Sequence, residues 1–369
     1  MLRSEQPAVA SKASDKPATL TDVARLAGVS RWIAGRVLNG GLGNSRCSAQ
    51  SRQRVLDAAR LLKYHPNHAA RLLCGKRSHT FGLLVASAGD PLRSFLVQYL
   101  DVEAVRIGCR TLISNAIGNP AVGPDQFEYH VKQFAERGVD GVLCAVHHWW
   151  PGDRRQLLAR HPHTVFYEDP GVAGACYVEV DREAAVRAAV RYLVEQGRQR
   201  IALAVMTLSR PTHLARRSGY EAELAAHGRS VEERLIFNGE PHGLAFARCD
   251  ERSGKWDFPV EVMERAVDAL VCGARADAVV AHDDFWAAAL IRRMRARGIR
   301  VPADVAVVGY LNHYLADWTD PALTTIDLRH DVAARAMVEV LERMVSGELP
   351  PGARRKVLVE PRLIVRESA

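Results

Sequence analysis

No apolar run in this chain of 369 residues is long enough to cross a membrane. Its start, MLRSEQPAVASKASDKPA, lacks the apolar core of a secretory leader; residues 1–17 read as a disordered tail, and the expected compartment is the cytoplasm. Cysteine is sparse: seven residues (47, 74, 109, 144, 176, 249 and 272), odd in number, with no CxxC pair. That argues against a disulfide framework and a structural zinc site, and leaves Cys109, Cys144 and Cys272, which lie in apolar stretches, as core fillers. Phosphate-cradling glycine loops, a GxSxG elbow and an HExxH motif are all missing, so nothing points to an enzyme and no cofactor is expected. The adjacent His147 and His148 would point to opposite faces of a strand, a poor chelate, and no metal is expected. Acidic residues are also scarce at one end. Between Met1 and His79, Lys and Arg outnumber Asp and Glu by 14 to 4, whereas the rest of the chain carries 36 basic against 38 acidic residues. This asymmetry describes a phosphate-contacting module joined to a near-neutral body.

What is present begins at Ala18, where ATLTDVARLAGVSRWIAGRVLN has the pattern of a helix-turn-helix. Thr19 or Thr21 can cap a first helix whose Leu20, Val23, Ala24 and Ala27 share one face. Gly28 supplies the turn, and Ser30 caps a second helix, Arg31 to Leu38, with Ala34, Val37 and Leu38 facing inward. Ser48 or Ser51 can cap a third helix, Arg52–Leu62. Then Pro66 breaks the chain and Asn67 can cap two turns from His68 to Cys74. Such a short helix forms only when packed against something, and Leu72 and Leu73 suit an apolar wedge in a minor groove.

After Thr80 the pattern alternates between apolar strands and amphipathic helices. Strand-like runs are 81–87, 110–115, 140–146 and 163–167, then 200–205, 233–237, 276–282 and 304–310. Two such series predict two parallel sheets covered on both faces, with ligand binding at the strand carboxyl ends, in the cleft between the lobes.

The order of parts resembles the LacI/GalR family of bacterial transcription regulators over nearly the whole chain from Ala18. The residues that carry the resemblance are TLTDVARLAGVS and RVLN, then SxxSRxxVLxAARLLKYHPN (48–67) and AARLL. Later come VDGVL (139–143), GRQRIALA (197–204), RRSGY (216–220), HDDFWAAAL (282–290), DVAVVGY (304–310), LTTID (323–327) and PRLIVRES (361–368). The resemblance implies an N-terminal all-α helix-turn-helix domain (18–64), a hinge helix (65–77) and an α/β two-lobed periplasmic-binding-protein-like domain (78–369). It places lobe 1 at about 79–197 and 328–343 and lobe 2 at about 198–327 and 344–369, with crossings near Gly197, Leu328 and Arg343. It also implies a homodimer on a palindromic double-stranded operator, with a small effector between the lobes.

Carried over residue by residue, Arg31, Trp32 and Arg36 lie nearest bases and phosphates, and Arg can read guanine bidentately. Thr19, Ser30 and Asn39 join them on the DNA side, Asn67 and Ala70 start and pair the hinge helices, and Leu73 is the wedge. Gly35 stands where the family commonly has a phosphate-holding serine. Effector candidates are Asp90, His147, Arg216, His282, Asp283 and Asn312. Arg216 offers a bidentate fork for a hydroxyl or carboxylate. His282 replaces the asparagine of the family's Asn-Asp pair, and Leu311 replaces a sugar-holding aspartate. The grip on a neutral sugar is thereby reduced, and an acid is as well suited as a sugar. The reading is a repressor whose operator affinity responds to a sugar-like or small acidic effector. Two others stay open: a DNA-binding regulator whose core senses nothing, and a soluble small-molecule-binding protein.

Overall fold

The structure, a computed structural model, describes residues 18–38, 47–64, 77–86, 93–116, 126–146, 152–242, 248–249, 256–257, 260–350 and 352–369. Asn39, Asn67, Ala70, Leu73, Asp90 and His147 lie outside the described residues. The chain divides into two compact units, Met1–Ser78 and His79–Ala369.

In the first unit, helix α1 (Leu20–Ala27) starts at a reciprocal cap: Thr19 Oγ1 accepts the Asp22 N–H, and the Asp22 carboxylate accepts the Thr19 N–H. Gly28 ends it in the left-handed region, φ +65°, donating to the Ala24 and Arg25 carbonyls. Helix α2 (Arg31–Leu38) begins where Ser30 Oγ accepts the Ile33 N–H at 3.2 Å. Helix α3 (Ala49–Leu61) is capped by Ser48, which accepts the Ser51 N–H, so it starts a turn earlier than the sequence pattern suggested. Val23, Ala24, Ala27, Ala34, Val37, Val55, Ala58 and Ala59 form its core. The alanines let the helix backbones approach closely. A Cβ at Gly35 would meet Leu20 Cδ2 at 3.3 Å, so here glycine lets α2 sit against α1, offsetting a helix-propensity loss of about 1 kcal/mol.

The second unit holds two six-stranded sheets. The chain builds β1 (Thr80–Val85), α4 (Ser94–Arg106), β2 (Arg110–Asn115), α5 (Gln126–Glu136) and β3 (Gly141–Ala145). It continues through α6 (Arg154–Arg160), β4 (Thr164–Tyr167), β5 (Cys176–Val180) and α7 (Arg182–Glu195). Next come β6 (Ile201–Val205), α8 (Pro211–Ala226), β7 (Ile236–Asn238) and a small antiparallel pair, β8 (Arg248–Cys249) with β9 (Trp256–Asp257). The last part is α9 (Val260–Ala266), β10 (Ala278–Val280), α10 (Asp284–Ala296), β11 (Ala306–Tyr310), α11 (Leu315–Trp318), β12 (Thr324–Asp327), α12 (His330–Val345), β13 (Lys356–Val359) and β14 (Arg362–Ile364).

The first sheet has the order β13-β5-β4-β3-β1-β2 and is parallel throughout. The second has the order β14-β12-β11-β10-β6-β7, with only β14 antiparallel. Strands β5, β12, β13 and β14 are not among the runs read from the sequence; β13 and β14 are half-exposed edge strands without a continuous apolar run. Helix α7 packs on the second sheet and α12 on the first. The chain therefore crosses between the lobes around 180–182, 328–329 and 360–361. The expected crossings near Gly197 and Arg343 are corrected: each was drawn at the end of a helix, whereas the chain changes lobe before α7 and after β13. Cys109 and Cys144 are buried, as expected of fillers, and burial pushes the Cys144 thiol up to about 11. Cys272 is exposed, a correction; its apolar run forms a helix that leaves that residue on the solvent side.

Candidate functional site

The outer face of α2 carries Arg31, Trp32 and Arg36, all exposed, with Trp32 54% accessible despite its size. The Arg36 guanidinium lies 4.9 Å from the Trp32 ring centroid, one helical turn away. A planar cation over an indole makes a flat, positively charged surface able to meet base edges and the sugar-phosphate wall. Thr19 and Ser30 are exposed too, but their side-chain oxygens serve the first turns of α1 and α2.

The second candidate site lies where the carboxyl ends of both sheets meet. At the end of β4, Glu168 adopts φ +79° and is only 3% accessible. Its carboxylate accepts from Arg182 at the start of α7 and from Arg93 Nη2 at 3.3 Å. The Arg93 guanidinium also lies 5.2 Å from the Tyr167 ring centroid. His330, the first residue of α12, has its ring 6.0 Å from Tyr167; burial and the two arginines push it down to about 3, so it is neutral.

The other lobe contributes Tyr310, from the end of β11, and Arg216, from α8. The Arg216 guanidinium stacks 3.7 Å from the centroid of the Tyr310 ring. Its Nη1 donates to the His282 carbonyl at 2.6 Å. His282 Nδ1 accepts the Met206 N–H at 3.3 Å, which leaves the ring proton on Nε2. Burial and the neighbouring Arg216 hold His282 well below the usual imidazole range. Arg216 is itself buried, and among the described residues no carboxylate lies within 4.0 Å of it. Arg216 Nε and the hydroxyls of Tyr167 and Tyr310 are buried without a hydrogen-bond partner. Tyr167 and Tyr310 belong to one buried cluster that takes in both sheets, and Tyr310 is felt electrostatically by Tyr167 and Arg182.

Arg216 and His282 are thus brought together, whereas Asp283 and Asn312 have structural duties. Asp283 Oδ1 caps α10 by accepting the Trp286 N–H at 2.8 Å. Asn312 Oδ1 accepts from Arg366 Nη2 at 3.0 Å, tying the lip after β11 to the C-terminal segment. Arg93, Arg182, Tyr167, Tyr310 and His330 went unread, because nothing in local spacing marks a buried arginine or an orphaned tyrosine hydroxyl. The rim was missed as well. Phe95 on α4 lies 5.2 Å from the His313 ring and 6.3 Å from Tyr314, joining aromatics of both lobes. Tyr314 and Trp318, 5.3 Å apart, stay exposed.

Asp284 was also missed. It is fully buried, accepting the His313 N–H at 2.6 Å and the Thr325 hydroxyl at 2.5 Å, and burial pushes its carboxyl up to about 7. Gly309 gives it room, since a Cβ there would strike Asp284 Oδ1 and Leu323. A raised carboxyl binds its proton more tightly in the folded state, so its contribution is full below pH 4 and is lost as pH rises through 7. Asp284→Asn should therefore gain on the parent as pH goes from 5 to 8, by on the order of 2–4 kcal/mol. Urea melts at both pH values check this; the low-titrating His282 and His330 act in the opposite sense but are common to both proteins and cancel.

Residues 19–67 match the family described as "Bacterial regulatory proteins, lacI family". Residues 78–248 match "Periplasmic binding proteins and sugar binding domain of LacI family", and residues 190–369 match "Periplasmic binding protein-like domain". The HTH-type transcriptional regulator CelR of Thermobifida fusca is 30% identical over 361 residues, covering 95% of this chain and 98% of its own. A solved CelR–cellobiose complex is 28% identical, with 95% of this chain and 100% of that one covered and a TM-score of 0.63. The lac repressor dimer bound to operator and the anti-inducer ONPF shares the fold, at 24% identity, 96% and 99% coverage and a TM-score of 0.74. A capped helix-turn-helix with an arginine-bearing outer face, ahead of two parallel-rich lobes closing on a buried polar cluster, places this chain in the LacI family of bacterial DNA-binding transcription regulators.

Proposed function

We propose that this regulator is a repressor that binds a palindromic operator as a homodimer and yields to a small sugar-like or acidic effector bound between its lobes. It acts in the cytoplasm and binds its ligands without transforming them. The observation that carries the reading is the α2 face, where Arg31, Trp32 and Arg36 stand exposed on a helix held by its partner's small residues. Asn67, Ala70 and Leu73 remain assigned to the hinge on the resemblance, and Asp90 and His147 to the cleft on their place at or near predicted strand ends. Effector binding would work by population shift, altering the lobes and with them the operator affinity.

In vitro selection of random duplexes on the full-length protein tests this, with a two-fold palindrome expected. Enrichment of no sequence at all would sink the reading. Arg36→Ala should weaken the selected duplex by about 10–100-fold, the worth of one good base contact of ~1–3 kcal/mol, in an electrophoretic shift titration.

The homodimer is supported by an apolar stripe on α4. Tyr99, Val102 and Val105, spaced three apart, are 39%, 53% and 59% accessible, and Ile113 on the sheet-edge strand β2 is 44% accessible. A charge in such a stripe should split a dimer. Val102→Glu is expected to sediment as a monomer at micromolar concentration and to lose most of its operator binding.

A further inference from the structure

We infer that the effector is a carboxylic acid, with its carboxylate held by Arg216 beside the Tyr310 and Tyr167 hydroxyls. This rests on the proposal that the cleft between the lobes binds an effector, and it narrows the chemistry of that effector.

The first ground is an uncompensated charge. A buried guanidinium needs a counter-charge, because its hydration is gone and the interior does not replace it. Arg182 and Arg93 have one in Glu168. Among the described residues Arg216 meets the His282 carbonyl, a neutral imidazole nitrogen 3.4 Å away and the side chain of Tyr310, none of which is a counter-charge. Two arginines already share Glu168, and neutral His282 and His330 change nothing in the count. Asp283 is near enough to be felt by Arg216 but lies beyond ion-pair distance, with one oxygen spent on the α10 cap. Among the described residues the cluster holds more positive than negative charge.

The second ground is independent of charge. Among the buried atoms without a hydrogen-bond partner are Arg216 Nε and the hydroxyls of Tyr167 and Tyr310, each able to donate. A carboxylate only accepts, through about four lone-pair sites on two oxygens, so it can answer several donors at once. A sugar hydroxyl brings a proton that itself needs an acceptor, and Glu168, the carboxylate of this cluster, is already taken by two arginines. The exposed rings of Tyr314 and Trp318 at the rim suit a flat or apolar ligand body outside the polar floor.

The test is a thermal-shift and operator-release assay on the full-length protein with its selected duplex. The probes are matched pairs: 4-hydroxybenzoate with 4-hydroxybenzamide, D-glucuronate with D-glucuronamide, D-gluconate with D-glucose, and cellobiose as a further neutral sugar. At least one acid should raise the melting midpoint and change duplex binding, with its neutral partner at least tenfold weaker. Arg216→Gln should weaken that acid at least tenfold. Tyr310→Phe, which deletes an unsatisfied buried hydroxyl, should keep the ligand-free midpoint at or above the parent value while reducing the acid's shift. Stabilisation and release by neutral members alone would overturn the carboxylate while sparing the effector cleft. Silence from both columns would overturn the carboxylate and the cleft together. An acid bound equally well by Arg216→Gln and Tyr310→Phe would overturn the assignment to these residues.

Discussion

Glu168→Ala should lower the unfolding free energy by about 3–5 kcal/mol, the usual cost of leaving buried charges without their partner. Glu168 is 3% accessible, and its carboxylate receives Arg182 and Arg93 from two different elements. Alanine removes the one negative charge on which both guanidiniums converge, with water excluded. Glu168→Gln keeps the shape and one acceptor oxygen, so it should fall between the parent and the alanine variant. Guanidinium chloride melts at pH 7 read both. If Glu168→Ala matches the parent, the cluster is more hydrated than its burial indicates, and Arg216 has correspondingly less need of a counter-charge.

Gly219→Ala should cost about 3 kcal/mol, at the upper end for overpacking a tight contact. In an open helix the same change would be worth about 1 kcal/mol in the opposite direction. Here the added methyl would collide with the Glu183 carbonyl oxygen and lie 3.0 Å from its carbon and 3.1 Å from its Cα. These are backbone atoms of α7 and cannot rotate away, so α7 and α8 must separate. Arg216 sits one turn before Gly219 on the same helix, and its 2.6 Å bond to the His282 carbonyl should loosen with the shift. The expected pair of results is a lower midpoint and a blunted effector response, measured by thermal melts and by duplex release. Gly228→Ala, at the open end of α8 with nothing within 4 Å of its Cβ, is the control for backbone strain alone, since its φ is +68°.

Local chemistry makes much of this molecule legible in its sequence. Thr19, Gly28, Ser30 and Ser48 act within three or four residues of themselves, as a cap, a turn and two more caps, and each does so in the structure. The apolar runs of β1, β3, β6 and β11 are buried on both faces, and such strands need no distant partner to be recognised. Arg216 and His282 were named through a collinear resemblance, and they do meet.

The tertiary structure decided what depends on long-range juxtaposition. Which lobe α7 and α12 belong to is set by the sheet each packs against, so two crossings moved from where the pattern had put them. Asp283 and Asn312 share a hydrogen-bonding chemistry with ligand-binding residues, and only the fold shows that they also hold the Trp286 N–H and Arg366. Arg93, Glu168, Arg182, Arg216 and Tyr310 come from five separate stretches of chain, each polar or aromatic for no visible local reason. A residue's burial and its lack of a counter-charge are properties of everything around it. The sequence by itself determined that this protein reads DNA with a capped helix; the fold alone determined that its second unit buries a cation, Arg216, with no carboxylate within ion-pair distance among the described residues.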